Sequence, residues 1–144
     1  MRHAEKDSAD TSKDPPLSAA GIARAQELAR VLADANVSAI YTTPYKRTET
    51  TVAPLAAALG IKPIVVPNAK TYVADVVASI RTKHVGNTVV VVGHSNTTPE
   101  VMRALGVADP PKIPDSQYDD LFVVTLGKGV RPHLVKLRYG AVTR

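Results

Sequence analysis

Thr88-Val89-Val90-Val91-Val92-Gly93-His94 reads as a strand that runs into a glycine and a histidine. Four consecutive valines without polar alternation suit a central parallel strand, because such a strand is covered on both faces. Upstream of it, residues 37–41 read as a short buried strand and residues 61–66 as another. Helices separate them. The first starts at Ser18 as N-cap, carries Ile22, Ala25, Leu28, Ala29 and Leu32 on one face and ends near Asn36. In the second, Thr43 is placed to cap, Pro44 is the first helical residue, Arg47 closes the first turn, Pro54 kinks the interior and Gly60 follows Leu59 as C′. A third spans 72–84 with Val73, Val76, Val77 and Ile80 inward, and a short fourth has Pro99 in its first turn and Gly106 at its end. Beyond a proline-containing loop, residues 121–126 and 130–139 read as strands joined by Gly127-Lys128-Gly129. The alternation predicts an α/β fold of three layers, α/β/α: a mainly parallel sheet, helices on both faces and an antiparallel edge hairpin at the C-terminus.

The 144 residues, 44% of them hydrophobic, suit one compact domain over 1–144. No run of 18 apolar residues is present and the start lacks the pattern of a signal peptide. Without cysteine there is no disulfide, thiolate metal site or thiol nucleophile, and the compartment stays open: cytoplasmic by default, with export not excluded. The net charge of +5, from 18 Lys and Arg against 13 Asp and Glu, favours anionic ligands. Nucleic acid is not among them. Aromatic content is 4%, tryptophan is absent and the basic residues are scattered from Arg2 to Arg144.

In open parallel sheets ligands bind beyond the carboxyl ends of the strands. Arg47 follows one strand and His94 another, and if Met1-Arg2 is the tail of a further strand His3 joins them. Such a rim holds two guanidiniums, two imidazoles and the N-terminus of the helix after Thr43, whose N–H groups favour an anion. It is a pocket for a tetrahedral phosphate, since the planar fork of arginine binds two phosphoryl oxygens and stays charged.

At these residues the sequence resembles the histidine phosphatase superfamily, the phosphoglycerate-mutase-like proteins. Arg2-His3-Ala4-Glu5 is similar to its Arg-His-Gly/Ala-Glu signature, Thr43-Pro44-Tyr45-Lys46-Arg47 with Thr50 and Thr51 to its Ser/Thr-Pro-x-x-Arg segment, and Gly93-His94-Ser95-Asn96 to its Gly-His segment. Leu17-Ser18-Ala19-Ala20-Gly21 with Ala25 and Gln26 resembles the start of the family's first helix, and the likeness extends from Arg2 to about Arg138. It implies a phosphatase acting through a phosphohistidine on His3, with Arg2, Arg47 and His94 holding the phosphoryl oxygens, no metal and no cofactor. The partners implied are a phosphorylated small molecule or a phosphohistidine protein, and inorganic phosphate, but no membrane. Glu5 is expected to orient the loop or an imidazole, with Ser95 and Asn96 as further pocket residues. The compact length resembles the small phosphohistidine phosphatase-like members rather than the mutases.

Two departures stand out. Many members carry an acidic general acid beyond the second arginine, and Asp75 is the only acidic residue between Thr50 and Val92, so it is the candidate; a plain first-turn acid stabilised by the helix dipole is the alternative. Family members also have several apolar residues before the Arg-His pair, whereas only Met1 precedes it here, which predicts a truncated first strand or a start further upstream. Rival readings are a phosphate-binding protein without turnover, an N-terminal Cu(II) or Ni(II) site using His3, and a metal held by His3 and His94, against which the two arginines argue. Tyr45, Lys46 and Tyr72 are candidates for the mouth, Asp119 and Asp120 for a turn, and His84 and His133 for the surface.

Overall fold

The computed structural model describes residues 1–143. In chain order the elements are α1 (Ala19–Val31), β1 (Val37–Thr42), α2 (Lys46–Leu59), β2 (Ile64–Val65), α3 (Tyr72–Lys83), β3 (Thr88–Val92), α4 (Thr97–Ala104), β4 (Asp120–Thr125) and β5 (His133–Arg138). A parallel sheet has the order β2-β1-β3. The first residues extend it on the far side of β3, where Arg2 bridges Gly93 in parallel. There Gly93 N–H donates to the Met1 carbonyl at 3.0 Å and His3 N–H to the Gly93 carbonyl at 2.9 Å. The chain start is thus fixed at the carboxyl end of β3.

The valine run behaves as its composition requires. Val90 and Val92 join Ile40, Leu28, Val52 and Leu55 in a core beneath α1 and α2. Val89 and Val91 face the other way, onto Ala39, Tyr41, Tyr72, Val76, Val101 and Leu105 beneath α3 and α4. In β1, Val37 and Ile40 share one core although an odd number of residues apart. The register shift between Val37 and Ala39 allows it, because a bulge changes which face each side chain meets.

Several boundaries differ from the sequence reading. β4 and β5 pair antiparallel from Asp120↔Arg138 to Thr125↔His133, but among the described residues they form a separate two-stranded sheet rather than the edge of the parallel one. The hairpin is docked by Leu121 and Tyr139, which share a core cluster with Met1. Its connection spans residues 126–132, because Pro132 has no N–H to donate to a ladder. β2 shrinks to two residues between Pro63 and Pro67 for the same reason. α1 stops at Val31, and Ile22 is 49% exposed.

The rest of the expected face holds, with Ala25 and Leu28 buried and Ala29 and Leu32 packed against the core, and Gly21 and Arg24 are buried beside it. This face meets the loop after His3. A Cβ on Gly21 would collide with the Glu5 carbonyl oxygen, so only glycine permits the approach. Arg24, 3% exposed, donates to both Glu5 oxygens, and its terminal nitrogens reach the carbonyls of Tyr139 and Ala141 at 2.7 Å each. Removing one partner of a buried pair strands the others, so Arg24→Ala is expected to cost about 3 kcal/mol in urea unfolding; a loss below about 1 kcal/mol would show that water replaces the guanidinium.

Candidate active site

His3 is held from both sides. Its backbone is pinned to Gly93, and its ring Nδ1 lies 2.7 Å from the Ala4 carbonyl. A carbonyl only accepts, so Nδ1 carries the proton and Nε2 keeps a free lone pair. The next residue is tied to α2: Ala4 N–H donates to Thr51 Oγ1 at 2.9 Å, and that hydroxyl donates to the Arg47 carbonyl at 2.6 Å. Burial, opposed by the Ala4 bond and reinforced by Arg2, His94 and Arg47, pushes the His3 pKa down to about 3.

His94 follows the valine strand, with its ring centroid 5.4 Å from that of His3. Its backbone N–H donates to Thr97 Oγ1 at 3.0 Å, and its Nε2 shares a hydrogen bond of 2.9 Å with Thr43 Oγ1. Burial, then Arg47 and Arg2, push its pKa down to about 4.

Thr43 therefore orients an imidazole and does not cap α2. The N-cap is Tyr45, which makes no side-chain cap bond. The first N–H of the helix is met from another loop: Lys46 N–H donates to both Asp14 oxygens, at 3.1 and 3.2 Å. The same carboxylate lies 3.4 Å from an Arg47 nitrogen, and the Arg47 guanidinium carbon sits 4.4 Å over the Tyr45 ring. The N-terminus expected to greet phosphate has a resident carboxylate, because Asp14 is the anion within reach.

Of the two arginines beside His3, Arg2 is the more tightly held. One terminal nitrogen donates to the carbonyls of Pro114, Asp115 and Gln117, at 3.0, 2.8 and 3.2 Å. The other reaches the Tyr118 hydroxyl at 3.3 Å, and the guanidinium stacks 4.1 Å from that ring. Its Nε is buried without a hydrogen-bond partner. Loop 114–118 is a functional neighbour that sequence reasoning missed, since nothing in its composition points at a residue more than a hundred positions away.

A cavity of about 320 Å³ opens between these groups, lined by Arg2, His3, Arg47, His94, Ser95 and Asn96, with Asn68 and with Lys6, Ser12, Lys13 and Pro15 of the loop after His3. None of the lining residues is acidic. Asp75 is exposed in the first turn of α3 and lies outside the lining. Glu5 is also outside it, since its carboxylate is turned to Arg24. Tyr72 is buried in the core at 1% exposure rather than at the mouth. Asp119 and Asp120 are buried beside Arg138, and His84 bonds the Tyr41 hydroxyl at 2.8 Å.

The lowered histidine pKa values carry a stability consequence. In the unfolded chain both imidazoles titrate near the ordinary 6.5, so between that pH and the folded values of about 3 and 4 the unfolded state binds more protons. Stability is present above pH 6.5 and is lost as pH falls toward 4, by up to about 2 kcal/mol per imidazole at pH 5. Urea unfolding at pH 7 and pH 5, with a His3→Gln/His94→Gln variant, checks this; the variant should lose most of the slope, and an unchanged slope would place the titration elsewhere.

Residues 1–70 match the family model of the histidine phosphatase superfamily (branch 1). Among solved structures, the protein histidine phosphatase SixA complexed with tungstate aligns at TM-score 0.72 and 19% identity, over 96% of this chain and 94% of that one. A SixA protein of Agrobacterium tumefaciens, to which phosphohistidine phosphatase activity is attributed, aligns at TM-score 0.71 and 25% identity, over 96% and 95%. A mycobacterial glucosyl-3-phosphoglycerate phosphatase in complex with inorganic phosphate aligns at TM-score 0.68 and 15% identity, over 93% and 92%. Among curated proteins no match was found.

Proposed function

We propose, from the match of residues 1–70 to the histidine phosphatase superfamily model and from the fold shared with the aligned structures, that the protein hydrolyses a phosphomonoester or a phosphohistidine through a phosphohistidine on His3. One observation carries this reading. His3 has Nδ1 committed to the Ala4 carbonyl and Nε2 free, within a cavity that Arg2 and Arg47 also line.

In the proposed reaction His3 Nε2 attacks phosphorus, the N–P bond forms, and the bond to the leaving group breaks with its electron pair leaving on that group. Burial beside two guanidiniums keeps the imidazole unprotonated and ready for this step. Arg47, the Arg2 guanidinium and His94 hold the phosphoryl oxygens as charge spreads over them. Water then attacks the phosphohistidine, releasing inorganic phosphate and restoring His3. Because Arg2 and Arg47 supply the positive charge, the reaction is proposed to need no metal.

No carboxylic acid is among the residues that line the cavity to protonate a poor leaving group. Alkyl phosphates are therefore expected to turn over about 10²–10⁴-fold more slowly than para-nitrophenyl phosphate, the range a general acid usually supplies. Steady-state assays after exhaustive chelation, with inorganic phosphate as competitive inhibitor, test the proposal. Undiminished turnover supports it. Phosphate binding without turnover would favour a binding protein, and activity lost on chelation and restored by a divalent cation would favour a metal site.

A further inference from the structure

Two cations line the cavity beyond the two arginines, whose own charge is partly offset by Asp14, 3.4 Å from Arg47, and Asp115, 3.9 Å from Arg2. Arg2, Lys6, Lys13 and Arg47 line it, with no carboxylate among the lining residues. Two arginines already match a phosphoryl dianion. Among the described residues neither lysine side chain forms a hydrogen bond or ion pair. Both belong to the loop after His3, and that loop is fixed rather than free: Lys6 bridges Leu17 at its base, Asp7 N–H donates to the Pro16 carbonyl at 2.8 Å, and Asp14 ties its far end to Lys46 N–H and Arg47. Pro15 beside it is buried. The fold thus holds two unpaired ammonium groups along one wall of a site whose lining includes no carboxylic acid for the leaving group.

We propose, resting on the phosphohistidine mechanism above, that the site also hydrolyses a small phosphoanhydride whose leaving group is itself a phosphate, received by Lys6 and Lys13. The two observations meet in that chemistry. A phosphate leaves without being protonated, so no general acid is required, and its developing negative charge is what two ammonium point charges stabilise. His3 Nε2 forms the N–P bond, the bridging P–O bond breaks with its electron pair on the departing phosphate, and water hydrolyses the phosphohistidine; pyrophosphate plus water gives two phosphates. An uncharged alkyl group carries no second phosphate for the two lysines to bind before the bond breaks.

The test uses pyrophosphate, para-nitrophenyl phosphate and an uncharged alkyl phosphate, with a chelator present so that divalent cations do not mask the anions. The intact chain should hydrolyse pyrophosphate with kcat/KM at least about tenfold above that of the alkyl phosphate. Lys6→Ala/Lys13→Ala, which changes two exposed side chains, should lower pyrophosphate kcat/KM by about tenfold and para-nitrophenyl phosphate kcat/KM by much less. Turnover of para-nitrophenyl phosphate without turnover of pyrophosphate would overturn the anhydride assignment and leave the phosphatase reading standing. Equal losses on both substrates in the double variant would overturn the role of the lysines. Failure on all three substrates would remove the phosphatase reading and this inference with it.

Discussion

His3→Ala is expected to lower kcat for para-nitrophenyl phosphate by at least about 10⁴-fold, the scale on which removal of a covalent nucleophile acts. No lining group is placed to substitute. The nearest imidazole, His94, has its Nε2 on Thr43. The effect should fall on kcat and not on KM, because Arg2 and Arg47 remain to hold phosphate, so the inhibition constant of inorganic phosphate should stay within about threefold. His3 is 4% exposed, so a stability control is needed. Equal melting temperatures of variant and parent at pH 7, where both folded and unfolded imidazoles are neutral, would assign the loss to chemistry. His3→Asn provides a second variant that fills more of the space. A loss below about tenfold in both would show that phosphoryl transfer does not pass through this ring.

Arg47→Ala is expected to lower kcat/KM by about 10²–10³-fold, as loss of one transition-state donor does. Arg47 is the cleaner arginine to change. Arg2 also holds the carbonyls of loop 114–118, so its removal would mix catalysis with folding. The Arg47 guanidinium has one ion pair, 3.4 Å to Asp14, and stacks on Tyr45, while Asp14 keeps its bonds to Lys46 N–H without it. Arg47→Lys should recover only part of the activity, since an ammonium cannot span two phosphoryl oxygens. Kinetics of the three proteins at constant ionic strength check this; Ala and Lys variants within about threefold of the parent would take Arg47 out of the phosphoryl site.

The parts of the fold legible in the sequence were those set by local chemistry. Ser18 caps α1 by accepting from Gly21 N–H, and Gly60 closes α2 at φ 65. Four valines in a row gave β3 its bounds because no polar residue interrupts them. What failed was decided at a distance. Thr43 has the chemistry of an N-cap, but Asp14, more than thirty residues away, took the helix terminus and left Thr43 to His94. Arg24 is buried because Glu5 and two C-terminal carbonyls surround it, partners that lie outside the helix. The hairpin was visible as two strands, whereas its separation from the parallel sheet depends on pairing that no local pattern encodes.

The same division holds in the site. Motif and strand-end logic brought Arg2, His3, Arg47, His94, Ser95 and Asn96 to one cavity. Asp75 was selected by elimination along the chain, and elimination carries no geometry. Lys6 and Lys13 carry no local signal, because a lysine in a polar loop is ordinarily a solvated charge, and only the closure of that loop gives them a wall to stand on.

The most direct measurement is rapid-quench trapping of the parent protein during para-nitrophenyl phosphate turnover, with the site of phosphate located by mass spectrometry under alkaline conditions. The account predicts an acid-labile, base-stable phosphate on His3 that forms and decays at rates consistent with kcat and is absent from His3→Ala. Steady turnover with covalent phosphate on another residue, or with no phosphate on His3 at any quench time, would contradict it.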